Sequence, residues 1–157
     1  KPRIGHRDPA QVRRLARPRF RRVARIRPRA MLASMSLLGR IFGGQPKKLP
    51  LHVDDTNFER EVLASELPVL LDVWGPSCGP CKQLEPIIID LAARYDGKIK
   101  VCELSAAGSP HTSVRLAIQH TPTVLYFRRG EELERIHGFR SSLFHAQTIQ
   151  ELFGIEG

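Results

Sequence analysis

The sequence predicts an α/β domain over residues 49–157, with a mixed central β-sheet flanked by helices. Three observations predict this fold class. Val69–Trp74 is an apolar run without alternation, which is typical of a central strand covered on both faces. A helical pattern follows that run, and two strand patterns separated by Arg129-Gly130 predict a hairpin near the C-terminus. A parallel β-α-β core followed by an antiparallel hairpin gives a mixed sheet.

The first predicted elements are short. Leu49–Val53 predicts a first strand, and Asp54 or Asp55 is placed to cap a helix over residues 57–64. The Val69–Trp74 strand follows this helix directly. We therefore expect a strand, a short helix and then the central strand.

A longer helix is predicted from about Cys78 to Tyr95. Pro86 inside it predicts a kink, because proline removes one backbone donor and crowds the preceding turn. Asp96-Gly97 is expected to end the helix. The residues of its apolar stripe recur at helical spacing and are Leu84, Ile87, Ile88, Leu91 and Ala92.

The second half of the domain adds three more patterns. Lys98–Leu104 alternates apolar and charged residues, which predicts a strand. Ser109-Pro110 combines an N-cap residue with proline at the first helical position, so a helix is predicted to about Gln119. Pro122–Phe127 and Glu134–Gly138 are the two predicted strands of the hairpin.

A last helix is predicted after the hairpin. Ser141 or Ser142 can act as its N-cap, because a serine side chain accepts a hydrogen bond from the first helical turn. Gly154 is placed to end it, since glycine adopts the left-handed conformation common after a helix.

Charge is distributed unevenly along the 157 residues, whose formal net charge is +9. Residues 1–48 hold 15 Lys and Arg against one acidic residue, a net charge of +14. Residues 49–157 hold 10 Lys and Arg against 15 acidic residues, a net charge of −5. The high isoelectric point therefore belongs to the N-terminal segment, and the predicted domain is mildly acidic.

Residues 1–48 are predicted to be a basic, disordered arm or leader, with three interpretations. Because residue 1 is Lys and Met31 and Met35 stand shortly before the domain, residues 1–30 are read first as a leader absent from the mature protein. The second interpretation is a targeting segment, since the stretch is Arg-rich and nearly free of acids. Nucleic-acid binding through phosphates ranks last.

Localisation follows from the same segment. No run in the sequence approaches the roughly 18 apolar residues that cross a bilayer. We predict a cytoplasmic protein, or an organellar one if residues 1–48 are a targeting segment.

Two cysteines mark the junction between the central strand and the long helix. Cys78 and Cys81 are separated by Gly79-Pro80, at the position where unpaired backbone N–H groups and the helix dipole favour an anion. A thiolate is the anion that a dithiol catalyst requires. Three cysteines in all are too few for a disulfide scaffold.

The sequence Trp74-Gly-Pro-Ser-Cys-Gly-Pro-Cys-Lys82, followed by Thr121-Pro122, resembles the active-site segments of the thioredoxin family. Asp72 and Pro86 agree with this resemblance, which covers about residues 49–154. It implies a thioredoxin-like three-layer fold and a thiol–disulfide oxidoreductase that reduces protein disulfides. It also implies a monomer with disulfide-containing clients, a separate thioredoxin-reductase-type electron donor, and no bound metal or organic cofactor.

The cysteine pair has predicted roles. Cys78 is the nucleophile, because the helix N-terminus lowers a thiol pKa and Gly79 leaves the backbone open. Cys81, more shielded, is expected to attack the resulting mixed disulfide. Pro80 stiffens the turn between them.

Four other residues complete the predicted site. Burial is expected to raise the pKa of Asp72, and the resemblance implies that it takes the proton of Cys81; an edge-facing or capping Asp is the alternative. Trp74 is expected to form one wall of the site, and it can pack in the core at the same time. Pro122, if cis, turns the Thr121 backbone toward an extended client; residues alone favour trans, and the resemblance implies cis.

A structural zinc site is the alternative for the cysteine pair, but a second C-x-x-C or a spaced His pair is missing from the sequence. Cys102 is expected to be a buried core thiol.

Two positions depart from the family pattern, and a third residue lies beside the predicted site. Ser77 stands where an aromatic residue is common in the family, and Glu103 stands where a lysine is frequent near the buried acid. If Glu103 points inward, the two carboxyls would raise each other's pKa. We hypothesise that protonated His120 stabilises the Cys78 thiolate. The alternative is that His120 is an ordinary solvated loop histidine. The departures at Ser77 and Glu103 leave open a second function, a binding or chaperone module of the same fold with little redox turnover.

Overall fold

Five strands form one sheet within residues 48–157, the part of the chain that this computed structural model describes. They are β1 (Leu51–Val53), β2 (Val69–Trp74), β3 (Lys100–Ser105), β4 (Thr123–Arg128) and β5 (Glu131–His137). Their order across the sheet is β1-β3-β2-β4-β5. The strands β1, β3 and β2 are parallel, whereas β4 runs antiparallel to β2 and to β5. The predicted mixed sheet is confirmed, and the predictions for residues 1–47 lie outside the described residues.

Helices cover the sheet. They are α1 (Gly79–Arg94), α2 (Pro110–Arg115) and α3 (Ser142–Phe153), and a single π-helical turn spans Glu59–Leu63. Side chains of β2 alternate between two hydrophobic clusters, because successive residues of a strand point to opposite faces. Leu70 packs in the cluster that includes α1 and α3, whereas Leu71 packs in the cluster that includes the π-helical turn. The sheet is therefore the middle of three layers, as predicted.

Side-chain caps of the short helical segments differ from the sequence expectation. The segment predicted as a helix over residues 57–64 is only the π-helical turn. Ser109 occupies the N-cap position of α2 without a side-chain cap bond. The carboxylate of Asp55 instead accepts hydrogen bonds from the backbone N–H groups of His111 and Thr112, at 3.2 and 2.7 Å. Asp55 thus caps a helix more than fifty residues away, which a local pattern cannot reveal.

Boundaries in the second half shift for identifiable reasons. The helix α2 ends at Arg115, before the predicted Gln119, and Ala117 just beyond it has a left-handed backbone with φ 49°. The strand β5 begins at Glu131, three residues earlier than predicted. These first residues carry no strand signal in the sequence because they are exposed and show no apolar alternation. In the hairpin turn a Cβ on Gly130 would lie 2.8 Å from the carbonyl oxygen of Leu63, so the turn requires glycine.

The last helix follows the prediction closely. Its N-cap is Ser141, whose hydroxyl accepts a hydrogen bond from the N–H of Phe144, and Gly154 ends it with φ 69°. One buried polar pair joins α3 to β4: the Tyr126 hydroxyl lies 2.6 Å from Nδ1 of His145. Burial lowers the pKa of His145 to about 4 and raises the pKa of Tyr126. The imidazole is therefore neutral at pH 7 and shares a hydrogen bond with the Tyr126 hydroxyl.

Candidate active site

The junction of β2 and α1 carries the cysteine pair. Cys78 is the N-cap of α1, and it forms a disulfide with Cys81 across a Cα–Cα distance of 5.2 Å. The backbone N–H of Cys81 donates to Sγ of Cys78 at 3.1 Å. Cys78 is half-buried, whereas Cys81 is only 6% exposed. The outer sulfur is thus accessible, and it receives both a backbone donor and the positive end of the helix dipole.

A shallow cleft of about 420 Å³ lies in front of the disulfide. It is lined by Gly75, Pro76, Ser77, Cys78, Gly79, Pro80 and Thr121. The Thr121–Pro122 peptide bond is cis, as the resemblance implied and the residues alone did not. Pro122 itself is buried, and its carbonyl accepts a hydrogen bond from the N–H of Gly138 at 2.9 Å.

Gly75 and Thr121 meet across this cleft, a contact that the sequence analysis missed. A Cβ built on Gly75 would lie 2.9 Å from Oγ1 of Thr121, closer than real Cβ atoms approach. Gly75 therefore allows Thr121 to approach the segment that precedes the cysteines.

A second cavity, of about 450 Å³, lies on the inner side of the pair. Asp72 and Cys81 both line it. Asp72 is 4% exposed, and no hydrogen-bond partner within residues 48–157 reaches its Oδ1 atom. Burial, then the negative charges of Glu103 and Glu85, raise the pKa of Asp72 to about 7. The expected raised pKa is confirmed, and Asp72 is neither an edge-facing nor a capping residue.

Glu103 lies opposite Asp72 in the register of β2 and β3 and lines the same cavity. Its Oε1 atom is 3.7 Å from Nδ1 of His52. Glu85, which the sequence analysis missed, lines the cavity from α1. Its position four residues after Cys81 was an available signal, since residues four apart share a helix face.

The remaining predicted residues lie in different surroundings. Trp74 lines the inner cavity rather than the outer cleft, and its role toward clients stays a prediction. Cys102 is a buried free thiol, as expected, and burial raises its pKa to about 12. His120 is exposed and packs edge-to-face on His137, with 6.3 Å between the ring centroids; its effect on Cys78 stays a prediction.

Metal and membrane features are limited to what the described chain contains. No group of three or more His, Cys, Asp or Glu side chains among residues 48–157 is placed to hold a metal ion. None of the helices in this same range combines the length and the apolar character needed to cross a membrane.

An accessible sulfur at a helix N-terminus, bonded to a buried sulfur one turn later, defines a dithiol–disulfide oxidoreductase with an α/β fold. The chain belongs to the thioredoxin family, because the family model "Thioredoxin" matches residues 50–151. Its activity is that of a thioredoxin-type protein disulfide reductase. The family implies disulfide-containing client proteins and a separate reductase as partners.

Curated relatives agree with this assignment. The chain is 35% identical over 99 residues to a thioredoxin of Synechocystis sp., an alignment that covers 63% of this chain and 92% of the relative. It is 44% identical over 86 residues to the chloroplastic M-type thioredoxin of Pisum sativum, covering 55% of this chain and 50% of the relative. It is 44% identical over 85 residues to the chloroplastic thioredoxin M5 of Oryza sativa subsp. japonica, covering 54% and 49%. The chain thus spans about half the length of these plant relatives.

Proposed function

We propose that this protein reduces client disulfides with Cys78 as the nucleophile, Cys81 as the resolving thiol and Asp72 as the proton acceptor. The observation that carries the proposal is the contrast between the two sulfurs: Cys78 is half-buried at the start of α1, and Cys81 is 6% exposed beside the buried carboxyl. Turnover of insulin disulfides with dithiothreitol as the electron source tests it.

The first step uses the reduced pair. The Cys78 thiolate attacks one sulfur of the client disulfide, so that a Cys78–client bond forms and the client S–S bond breaks. The second client sulfur leaves as a thiolate and takes a proton from solvent. The N–H of Cys81 and the N-terminus of α1 lower the pKa of the Cys78 thiol by stabilising its charged form.

The second step closes the ring. The Asp72 carboxylate accepts the Cys81 proton, and the Cys81 thiolate attacks Sγ of Cys78. The Cys78–Cys81 bond forms, the Cys78–client bond breaks, and the client sulfur leaves with the electron pair. Two electrons have then passed from the protein to the client, and a separate thioredoxin-reductase-type donor returns them.

Client binding is assigned to the outer cleft. Gly79, Pro80 and Thr121 line it beside Cys78. The backbone N–H and carbonyl of Thr121 make no hydrogen bond to any residue in the 48–157 range. They are free to pair with an extended client segment, as an added strand pairs with a sheet edge. Pro122 supports this position from the buried side, and Trp74 packs behind the pair.

A Gly75→Ala variant is expected to lower kcat/KM for a protein disulfide by about tenfold, because a misplaced binding group weakens orientation of the reacting atoms. The new methyl group would displace the Thr121 side chain, whose Oγ1 would otherwise lie 2.9 Å away. The measurement is insulin reduction across a range of insulin concentrations.

A double variant separates this effect from general damage. Gly75→Ala combined with Thr121→Ala removes the hydroxyl that the methyl group meets, and it keeps the Thr121 backbone. Activity is expected to return most of the way to the wild-type value. A double variant as slow as the single one would show that the Gly75–Thr121 contact does not position clients.

We also propose a division of residues 1–157 into two parts. Residues 1–48 form a basic arm, and residues 49–157 form the catalytic domain, which acts as a monomer. The chloroplastic names of the plant relatives favour the organellar location over the cytoplasmic one predicted first. The compartment in which a fluorescent fusion of residues 1–157 accumulates decides between them.

A further inference from the structure

The inner cavity contains two carboxyl groups that have no role in the two-step mechanism. Its walls carry three carboxyl groups, those of Asp72, Glu85 and Glu103, and one cation, Lys82. The other lining residues are mostly apolar, among them Leu49, Trp74, Ile88 and Ile89. Only Asp72 of the three acids is fully buried.

The positions of these acids follow from the elements that carry them. Asp72 and Glu103 are register partners on the parallel strands β2 and β3, so their side chains point to the same face of the sheet. Glu85 approaches that face from α1, one turn beyond Cys81. The strand on the other side of β2 contributes Val124 opposite Asp72, which is apolar.

Two carboxylates facing a buried third make its ionisation unfavourable. The Oδ1 atom of Asp72 has no hydrogen-bond donor from the described chain to stabilise a negative charge. Burial is the largest cause of its raised pKa, and Glu103 is the larger of the two charge contributions. The Glu103 side chain is 37% exposed, so its carboxylate remains in contact with solvent.

We propose that Glu103 is a positioning residue for the reductase: acting through Asp72, it sets the pH above which Cys81 releases its proton and resolves the mixed disulfide. This inference rests on the proposed role of Asp72 as the proton acceptor. Glu103 itself touches neither the client nor the reacting sulfurs in this scheme.

The charge of Glu103 has two opposing effects on the resolving step. It delays ionisation of Asp72 to higher pH, so that less of the carboxylate is present in weakly acidic solution. It also makes that carboxylate a stronger base, and a base whose pKa lies near the working pH transfers protons best. Removing the charge should therefore speed resolution at low pH and slow it at high pH.

A thionitrobenzoate mixed disulfide on Cys78 isolates this step. Cys81 resolves it, and the released thionitrobenzoate absorbs visible light. For the wild-type protein we expect the release rate to rise with pH, with a midpoint near 7. For Glu103→Gln we expect the midpoint to fall by about half a pH unit or more, and the plateau rate by about two-fold. Glu103→Lys is expected to move the midpoint further in the same direction.

Two controls complete the experiment. Glu131→Gln removes a carboxyl from β5 outside the cavity and is expected to leave the profile unchanged. The pH titration of the Asp72 carboxyl carbon by NMR in the oxidised protein reads the same shift without any reaction. It also shows whether each variant is folded.

The outcomes separate the inference from the function on which it rests. If the pH profile of the release rate is the same for Glu103→Gln as for the wild type, while Asp72→Asn abolishes the pH dependence, the role of Glu103 is overturned and the reductase mechanism stands. If Asp72→Asn keeps the wild-type profile, Asp72 is not the proton acceptor, and both statements about proton transfer fail together. A lower midpoint for Glu103→Gln, together with a wild-type pH profile for Glu131→Gln, supports the inference.

Discussion

A Cys78→Ser variant is expected to lose all measurable catalysis of insulin reduction, because no other thiolate of the described domain is accessible. Cys81→Ser is expected to behave differently. Cys78 still attacks the client, but the mixed disulfide then lacks its intramolecular nucleophile, whose effective concentration in a well-oriented pair reaches about 10⁵ M. The covalent complex with the client should accumulate and appear as a band that dithiothreitol removes on electrophoresis.

Cys102→Ala is the matched control for both variants. This third thiol is buried in β3 with a pKa raised to about 12, so its removal is expected to leave insulin reduction intact. Turnover by Cys78→Ser would contradict the assignment of the nucleophile. A wild-type protein that suppresses client aggregation without reducing insulin would instead support a binding module.

An Asp72→Asn variant is expected to be more stable than the wild type at about pH 8, and equally stable near pH 3. The pKa of Asp72 is about 7 in the folded protein and 3.8 for a free Asp side chain. Below 3.8 the group is protonated in both states and contributes no pH dependence. As the pH rises toward 7, only the unfolded chain ionises, so the folded protein loses stability.

Above pH 7 the wild type is expected to lose up to about 4 kcal/mol of its free energy of unfolding, since each unit of pKa difference between the folded and unfolded states is worth about 1.4 kcal/mol. Urea unfolding of the oxidised proteins at the two pH values measures it. Asp90→Asn is a control on the exposed face of α1, where a change within about 0.5 kcal/mol is expected at both pH values. A gain for Asp72→Asn that is the same at both pH values would contradict the burial argument.

The sequence predicted best where local chemistry decides the structure. Both ends of Val69–Trp74 were placed correctly, because an uninterrupted apolar run can be stabilised only in the middle of a covered sheet. The helix α1 (Gly79–Arg94) lies within one residue of its predicted bounds at both ends, and the Asp96-Gly97 turn marks where it stops. Ser141 and Gly154 likewise marked the ends of α3.

Tertiary contacts account for what was missed. Asp55 caps α2 because the loop after β1 passes the start of that helix, and no spacing rule connects positions so far apart. The first residues of β5 pair with β4 through backbone hydrogen bonds, and their charged side chains give no strand signal. The hydrogen bond between Tyr126 and His145 is likewise a product of how α3 packs on the sheet.

The site divides in the same way. Cys78 and Cys81 were predicted from their place at the junction of a strand and a helix. Asp72 was predicted from an acid within an apolar strand together with the family resemblance. The close approach of Gly75 to Thr121 and the convergence of Glu85 on the cavity depend on distances that only the folded chain defines. The inward position of Glu103 depends on the β2–β3 register, which the sequence alone does not define.

The rate at which iodoacetamide alkylates Cys78 in the reduced protein tests the central claim most directly. Because a thiolate reacts and a thiol does not, the pH dependence of this rate gives the pKa of Cys78. The account predicts a pKa clearly below the value of about 8.5 for a free cysteine, with Cys81 unreactive at neutral pH. A Cys78 that titrates like a free thiol, or a Cys81 that is alkylated equally fast, would contradict it.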